Sequence, residues 1–383
     1  MQIIIYNSSS FGGCFDYGKA LEKAYAQNPS VSAVKWLIPK NSKTDNNPRI
    51  EKIFICDKPT TKSKILKQLH FLFRVFVNPI LLLLKLRTEH KSWVIFNDFE
   101  QISAIFWVPI FKLFLKNKHN FAVVLHDPDR DAYPPNLWFS QVSMRQIVGL
   151  MDVAIYHDFL PQKPYYQQQR HCKFIDLPHG FYPMPEPDSN LIQELVKLDI
   201  ANHVMITILG NIRPEKNYHL AIESLTSLPN HILIIAGTTA NARVNVQVYK
   251  DLAKRFDVEN RVIWIEKFLS EAEMSAVIEI ADVVLLNYAI SFTSQSGILN
   301  VVAPFRKKLI VSDGPSSLAS IIRRFNVGEL VEPGSLQSLV EGLKKLEKEE
   351  VILRQNWEDY LSYASWENHV NTAVKCFKSI ENA

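Results

Sequence analysis

Twelve short apolar runs recur along the chain, at 2–6, 33–38, 50–56, 93–96, 121–125, 153–156 and 174–177, then at 204–209, 232–236, 262–265, 283–286 and 309–311. Most are continuous blocks such as IIIY, WVIF and ILIIA, without alternation of apolar and polar residues. A strand apolar on both sides needs cover on both sides, and helical segments separate most of the runs. Strands alternating with helices predict an α/β chain with parallel sheets between helical layers. The rhythm is interrupted once, at 179–187 (HGFYPMPEP), where three prolines in five residues read as a linker. With 383 residues the chain exceeds one ordinary core. We expect two Rossmann-like domains, over 1–183 and 184–364, facing each other across a ligand-binding cleft. An amphipathic segment over 365–383 is expected to close the chain by packing back toward the first domain.

Hydrophobic residues at 47% and charged residues at 21% describe a folded chain. A net charge of +4 is too small for this length to predict a nucleic-acid partner. Cys14, Cys56, Cys172 and Cys376 are scattered, without zinc spacing, so reduced thiols in a cytoplasmic protein and no metal site are expected. MQIIIY reads as a first strand, not as a signal peptide.

Two segments, 62–87 and 105–118, mix bulky apolar residues with Lys and Arg. The longest uncharged run, 75–84, has ten residues and contains Asn78-Pro79, against about 20 needed to span a bilayer. Neither segment is expected to be transmembrane. Helices lying on an anionic membrane surface are expected instead, helices packed on the sheet being the alternative.

Chemistry concentrates in the second half. At 208–228 (ILGNIRPEKNYHLAIESLTSL) a strand ends at Gly210, and Arg213 and Lys216 follow three residues apart beside a helix start. A fork-shaped guanidinium with a compact ammonium can grip a pyrophosphate. At 293–313 (TSQSGILNVVAPFRKKLIVSD) a polar turn with Thr293, Ser294, Ser296 and Gly297 opens a second helix. Helix starts present unpaired N–H groups and a positive dipole end, which suit an anion. In the first half, Gly12-Gly13 follows the first strand without a GxGxxG fingerprint, and FAVVLHDPDRDAY places His126 and Asp127 at a strand's carboxyl end.

These segments resemble retaining glycosyltransferase family 4, whose members have the two-domain GT-B fold. GNIRPEKN (210–217) is similar to the family's phosphate-clamping segment, which usually ends Lys-Gly where Asn217 stands here. NYAISFTSQSGILNVVAPFRKKLIVSD (287–313) resembles the branch with a Ser-Gly helix start. The chain departs from the pattern at further positions. The second of the family's two glutamates falls at about Val301, the first is not acidic either, and Arg306 and Lys308 stand where Gly and Pro are usual.

The resemblance implies a metal-independent, hexosyltransferase-like enzyme without a cofactor, using a UDP- or GDP-linked sugar as donor. Arg213, Lys216, Ser296 and Gly297 would hold the diphosphate, and Gly210, Lys267, Phe268 and Thr293 the nucleotide. His126 would contact the donor sugar, and Asp127 would serve as base in an inverting reaction. Gly12, Gly13 and His179 would line the acceptor side. The basic, apolar first domain suggests a lipid-linked or nascent cell-surface glycan acceptor, and a peripheral position on the inner face of the cell membrane. A sugar-nucleotide epimerase and a non-catalytic partner subunit are the alternatives.

Overall fold

The computed structural model describes residues 1–59, 61, 63–131, 136–197, 203–239, 244–293, 295–348 and 354–382. Lys62 and Ser294, both named above, lie outside them. Two compact units emerge: Met1–His179 joined by the closing helix, and Gly180–Ser365.

The first unit contains β1 (Gln2–Tyr6), α1 (Gly13–Gln27), β2 (Ala33–Pro39), β3 (Ile50–Phe54), α2 (Lys64–Thr88), β4 (Trp93–Phe96), α3 (Ala104–Phe114), β5 (Asn120–Val124), α4 (Leu137–Val148), β6 (Val153–Tyr156), α5 (Pro164–Gln167) and β7 (Lys173–Asp176). The second contains α6 (Ser189–Val196), β8 (Val204–Leu209), α7 (Tyr218–Ser224), β9 (His231–Ala236), α8 (Gln247–Arg255), β10 (Val262–Ile265), α9 (Glu271–Ile280), β11 (Val283–Leu286), α10 (Gly297–Val302), β12 (Lys308–Ser312), α11 (Ser317–Phe325), β13 (Glu329–Val331), α12 (Leu336–Lys348) and α13 (Arg354–Tyr363). Helix α14 (Trp366–Glu381) returns to the first unit.

Both sheets are parallel, with orders β3-β2-β1-β4-β5-β6-β7 and β10-β9-β8-β11-β12-β13. Each order reverses direction beside the first strand of its unit, the switch point at which such sheets bind ligands. The two Rossmann-like units together are the GT-B architecture. Continuous apolar strands serve two cores at once: Ile3 and Ile5 pack with α1 and α14, whereas Ile4 and Tyr6 pack with α2 and α3. The same division holds in the second unit, where Ile206 and Ile208 face α7 and α12, and Met205 and Leu209 face α9 and α11. Strand β13 and helix α13 have no counterpart in the sequence reading; three residues, ELV, carry too little pattern to announce a strand.

Helix α2 is much longer than the uncharged run within it. Its 25 residues include an 18-residue window of mean hydropathy 1.7, long and apolar enough to cross a membrane by length and composition. Pro79 lies inside the helix and does not end it. Proline has no N–H for the Val75 carbonyl, and the Ser103 hydroxyl donates to that carbonyl at 2.5 Å instead. In the fold Val75, Asn78, Pro79, Leu82 and Leu86 are buried, with Leu82 and Leu86 packed beside Phe54 and Phe96.

Candidate active site

In the second unit, the first and fourth strands bring together the two segments singled out in the sequence for an anion. Gly210 ends β8 with φ +82°, and a Cβ there would lie 2.9 Å from Ile298 Cδ1 in the first turn of α10 and 3.5 Å from Lys216 Nζ. Only glycine combines that backbone with that approach. The Ala289 amide donates to the Glu215 carbonyl at 2.8 Å, holding the loop after β11 against the Arg213–Lys216 turn. The Arg213 guanidinium lies 5.6 Å from the Tyr288 ring and 5.7 Å from Phe292, two rings that stack at 4.0 Å. Contacts of this kind fix the direction of the cationic fork.

Lys216 is 6% exposed, and its ammonium donates to the Leu209 carbonyl. Burial, reinforced by the neighbouring Arg213 charge, pushes its pKa down to about 7. A buried cation beside a second cation costs stability, and an arriving diphosphate would relieve both the burial and the repulsion. Ser296 neither caps α10 nor points outward: its hydroxyl pairs with the Tyr288 hydroxyl at 2.9 Å. What this turn can offer an anion is backbone N–H, at exposed Gly297, where a Cβ would meet open space. The Thr293 carbonyl accepts from the Ser317 amide at 3.3 Å. Lys267 is held in an ion pair with Glu273 at 2.5 Å, and Phe268 is 81% exposed.

The departures from the family pattern have structural explanations. Asn217 sits at φ +50° and ψ 42°, a left-handed conformation that asparagine tolerates better than most residues, so Lys-Asn replaces Lys-Gly at little cost. Arg306, at a usual glycine position, keeps the glycine-like backbone at φ +53° and pairs with Glu358 at 2.6 Å. Val301 packs against the apolar core, so no carboxylate stands there.

The first unit is built differently. After β1, the amides of Ser8 and Ser9 donate to Asp98, at 2.5 and 3.1 Å, and the Ser10 amide donates to Asp57 at 2.7 Å. Carboxylates of the protein thus occupy the N–H groups that a nucleotide-binding loop would direct at phosphate. Gly12 follows at φ +79° as the residue before α1, and a Cβ at Gly13 would meet open space.

His126, just past β5, donates from Nε2 to Asn97 Oδ1 at 2.9 Å. The roles are fixed because the Asn97 amide nitrogen donates to Asn7 Oδ1 and the Cys14 carbonyl, at 3.0 and 2.6 Å. Helix α1 comes this close because residue 18 is glycine: a Cβ would lie 2.2 Å from Asn7 Oδ1. Burial, then His157, push the His126 pKa down to about 3, so the ring is neutral near pH 7. With Nε2–H committed to Asn97, Nδ1 is an acceptor. It suits a sugar hydroxyl and disfavours a phosphate oxygen. Asp127 is half-buried beside it. His179 lies 4.9 Å from the Tyr17 ring and 5.2 Å from His157, measured between centroids.

The structure therefore gathers Gly210, Arg213, Lys216 and the α10 start in one unit, and His126 and His179 around Tyr17 in the other. Sequence reasoning missed Tyr17, Gly18, Asn97, Tyr288 and Phe292. Asn97 alone carried a signal, as an amide directly after an apolar strand.

Two parallel Rossmann-like units make up the GT-B architecture, and the second carries a dicationic turn beside a helix start. Residues 196–362 match the family described as glycosyl transferases group 1. Similar solved structures include sucrose-phosphate synthase from Thermosynechococcus elongatus, with a TM-score of 0.74 at 12% identity, covering 100% of this chain and 99% of that one. HepE from Anabaena in complex with UDP gives 0.67 at 14% identity, with 100% of both chains covered. WaaG, a glycosyltransferase involved in lipopolysaccharide biosynthesis, gives 0.60 at 15%, with 95% of each covered. No curated protein sequence matches the chain.

Proposed function

We propose that this protein transfers a hexosyl group from a nucleoside diphosphate donor, with UDP as the favoured nucleotide, to a lipid-linked or nascent cell-surface glycan. The observation that carries the reading is the strained pair Arg213 and Lys216 set against Gly210 and the α10 start. A buried, destabilised cation is retained where a ligand uses it. UDP is favoured because the similar HepE structures are described as complexes with UDP and with UDP-glucose. Arg213, Lys216 and the Gly297 amide would hold the diphosphate, with Gly210, Thr293, Lys267 and Phe268 near the nucleotide. His126 would accept from a hydroxyl of the donor sugar, and Gly12, Gly13 and His179 would serve the acceptor. Asp127 is the base if configuration inverts.

Support for a lipid-linked acceptor comes from α2 and α3. Of the twenty exposed large hydrophobic side chains among the described residues, thirteen sit on these two helices, and neither helix contains Asp or Glu. Apolar side chains mixed with Lys and Arg suit an anionic membrane surface, which fits a peripheral position on the cytoplasmic face.

A thermal-shift screen against UDP- and GDP-sugars tests the donor, since a ligand that binds the folded state raises its apparent stability. We expect UDP-sugars to stabilise the protein and Arg213→Ala to abolish the shift. Product formation should require a lipid acceptor; conversion of the donor without one would instead indicate an epimerase. Sedimentation with anionic but not neutral vesicles at low salt tests the surface, and its failure would remove the lipid argument.

A further inference from the structure

Tyr17 is fully buried in α1 and is the hub of the aromatic cluster that holds His126 and His179, with no role of its own in the proposed chemistry. Its ring meets His126 edge-on with centroids 4.5 Å apart, His179 at 4.9 Å and Trp366 of α14 at 4.9 Å. Its hydroxyl lies 3.5 Å from His369 Nε2. His369 in turn donates from Nδ1 to the Pro178 carbonyl at 2.8 Å, so its Nε2 is an acceptor and the tyrosine is the donor. Pro178 immediately precedes His179. A continuous path therefore runs from the closing helix through His369 and Tyr17 to both His126 and His179.

We propose that Tyr17 is a positioning residue, by which helix α14 holds His126 in the orientation that presents Nδ1 to the donor sugar. Asn97 fixes the His126 ring at Nε2 only, leaving rotation about that hydrogen bond open. The Tyr17 edge blocks that rotation, and Trp366 supports Tyr17 from α14. The charged and titratable groups around His126 include His157, Arg130 and His369, with Tyr17 against its ring and Asp127 next in the chain. With Tyr17 in place these surround a desolvated neutral ring; with it removed, water reaches the imidazole and protonation becomes easy.

The assignment rests on the glycosyltransferase reading for its consequence, but its geometry can be tested without turnover. The test compares Tyr17→Phe, which keeps the ring contacts, with Tyr17→Leu, which removes them. In histidine ring NMR, with His126 assigned from a His126→Asn sample, wild type and Y17F should show no His126 titration above pH 5. Y17L should titrate near the ordinary histidine range. For turnover, Y17F should stay within about twofold of wild type. Y17L should lose at least tenfold in kcat and acquire an acid limb near pH 6, with UDP affinity unchanged. A folded Y17L with unaltered His126 titration or unaltered kcat overturns the proposal. If Y17L does not fold, Trp366→Leu is measured in the same way, and unchanged titration there overturns it equally. Absence of turnover in wild type, with the NMR result as expected, would refute the enzymatic reading alone.

Discussion

Lys216 allows the donor site to be tested through protons. In the ligand-free protein its pKa lies near 7, from burial first and Arg213 second, against an ordinary 10.5. At pH 8 only about a tenth of such groups carry a proton. A diphosphate in contact with Nζ restores the charged form, so binding should draw in roughly 0.9 proton at pH 8. Titration calorimetry of UDP in Tris and in phosphate buffer at that pH measures this directly, because observed heat changes with buffer ionisation enthalpy in proportion to protons taken up. Affinity should fall about tenfold per pH unit above 7. The same shift bears on stability. The unfolded lysine titrates near 10.5, so the folded state pays a penalty that is full below pH 7 and vanishes as pH rises toward 10.5. The shift corresponds to about 5 kcal/mol at most. Lys216→Met should therefore stabilise the ligand-free protein by at least ~2 kcal/mol at pH 7 while removing both UDP binding and proton uptake. Uptake below about 0.3 proton at pH 8, or a Met variant that is less stable than wild type at pH 7, would refute the reasoning.

Further outcomes follow from single positions. Arg306→Gly should gain about 0.5–1 kcal/mol in urea unfolding, because relief of the left-handed backbone exceeds the loss of an exposed ion pair; Glu358→Gln isolates the ion-pair part. Gly18→Ala should cost ~2 kcal/mol or more, since its methyl group collides with Asn7, and a change below ~0.5 kcal/mol would show that the Asn7–Asn97 pair does not fix α1. Acid should destabilise the first unit. His126, His157 and His369 are held down at about 3, 4 and 3 by burial, so stability is intact above the unfolded value of 6.5 and lost as pH falls below it. Each contributes roughly 1.4 kcal/mol per pH unit. Glu100, raised to about 7 chiefly by burial, acts oppositely: it gains stability as pH falls toward 4.5. Glu100→Gln should therefore steepen the loss between pH 6.5 and 5.5, measured by urea midpoints.

The sequence alone determined the architecture, because continuous apolar strands alternating with helices can be buried only in parallel sheets covered on both faces. It also brought the proposed diphosphate grip together, since Arg213, Lys216 and Gly210 lie within seven residues and interact locally. Tertiary structure decided the rest, through contacts between residues distant in the chain. The acceptor role of His126 Nδ1 depends on Asn97, 29 residues away. The commitment of the first unit's loop amides depends on Asp98, some 90 residues from Ser8. The Tyr17–His369 contact spans 352 residues. The glycine-like backbone kept by Arg306 is invisible in composition, because it is a property of φ and not of the side chain. Local pattern encodes which elements form, whereas protonation states and side-chain orientation are set by whatever the fold brings beside them.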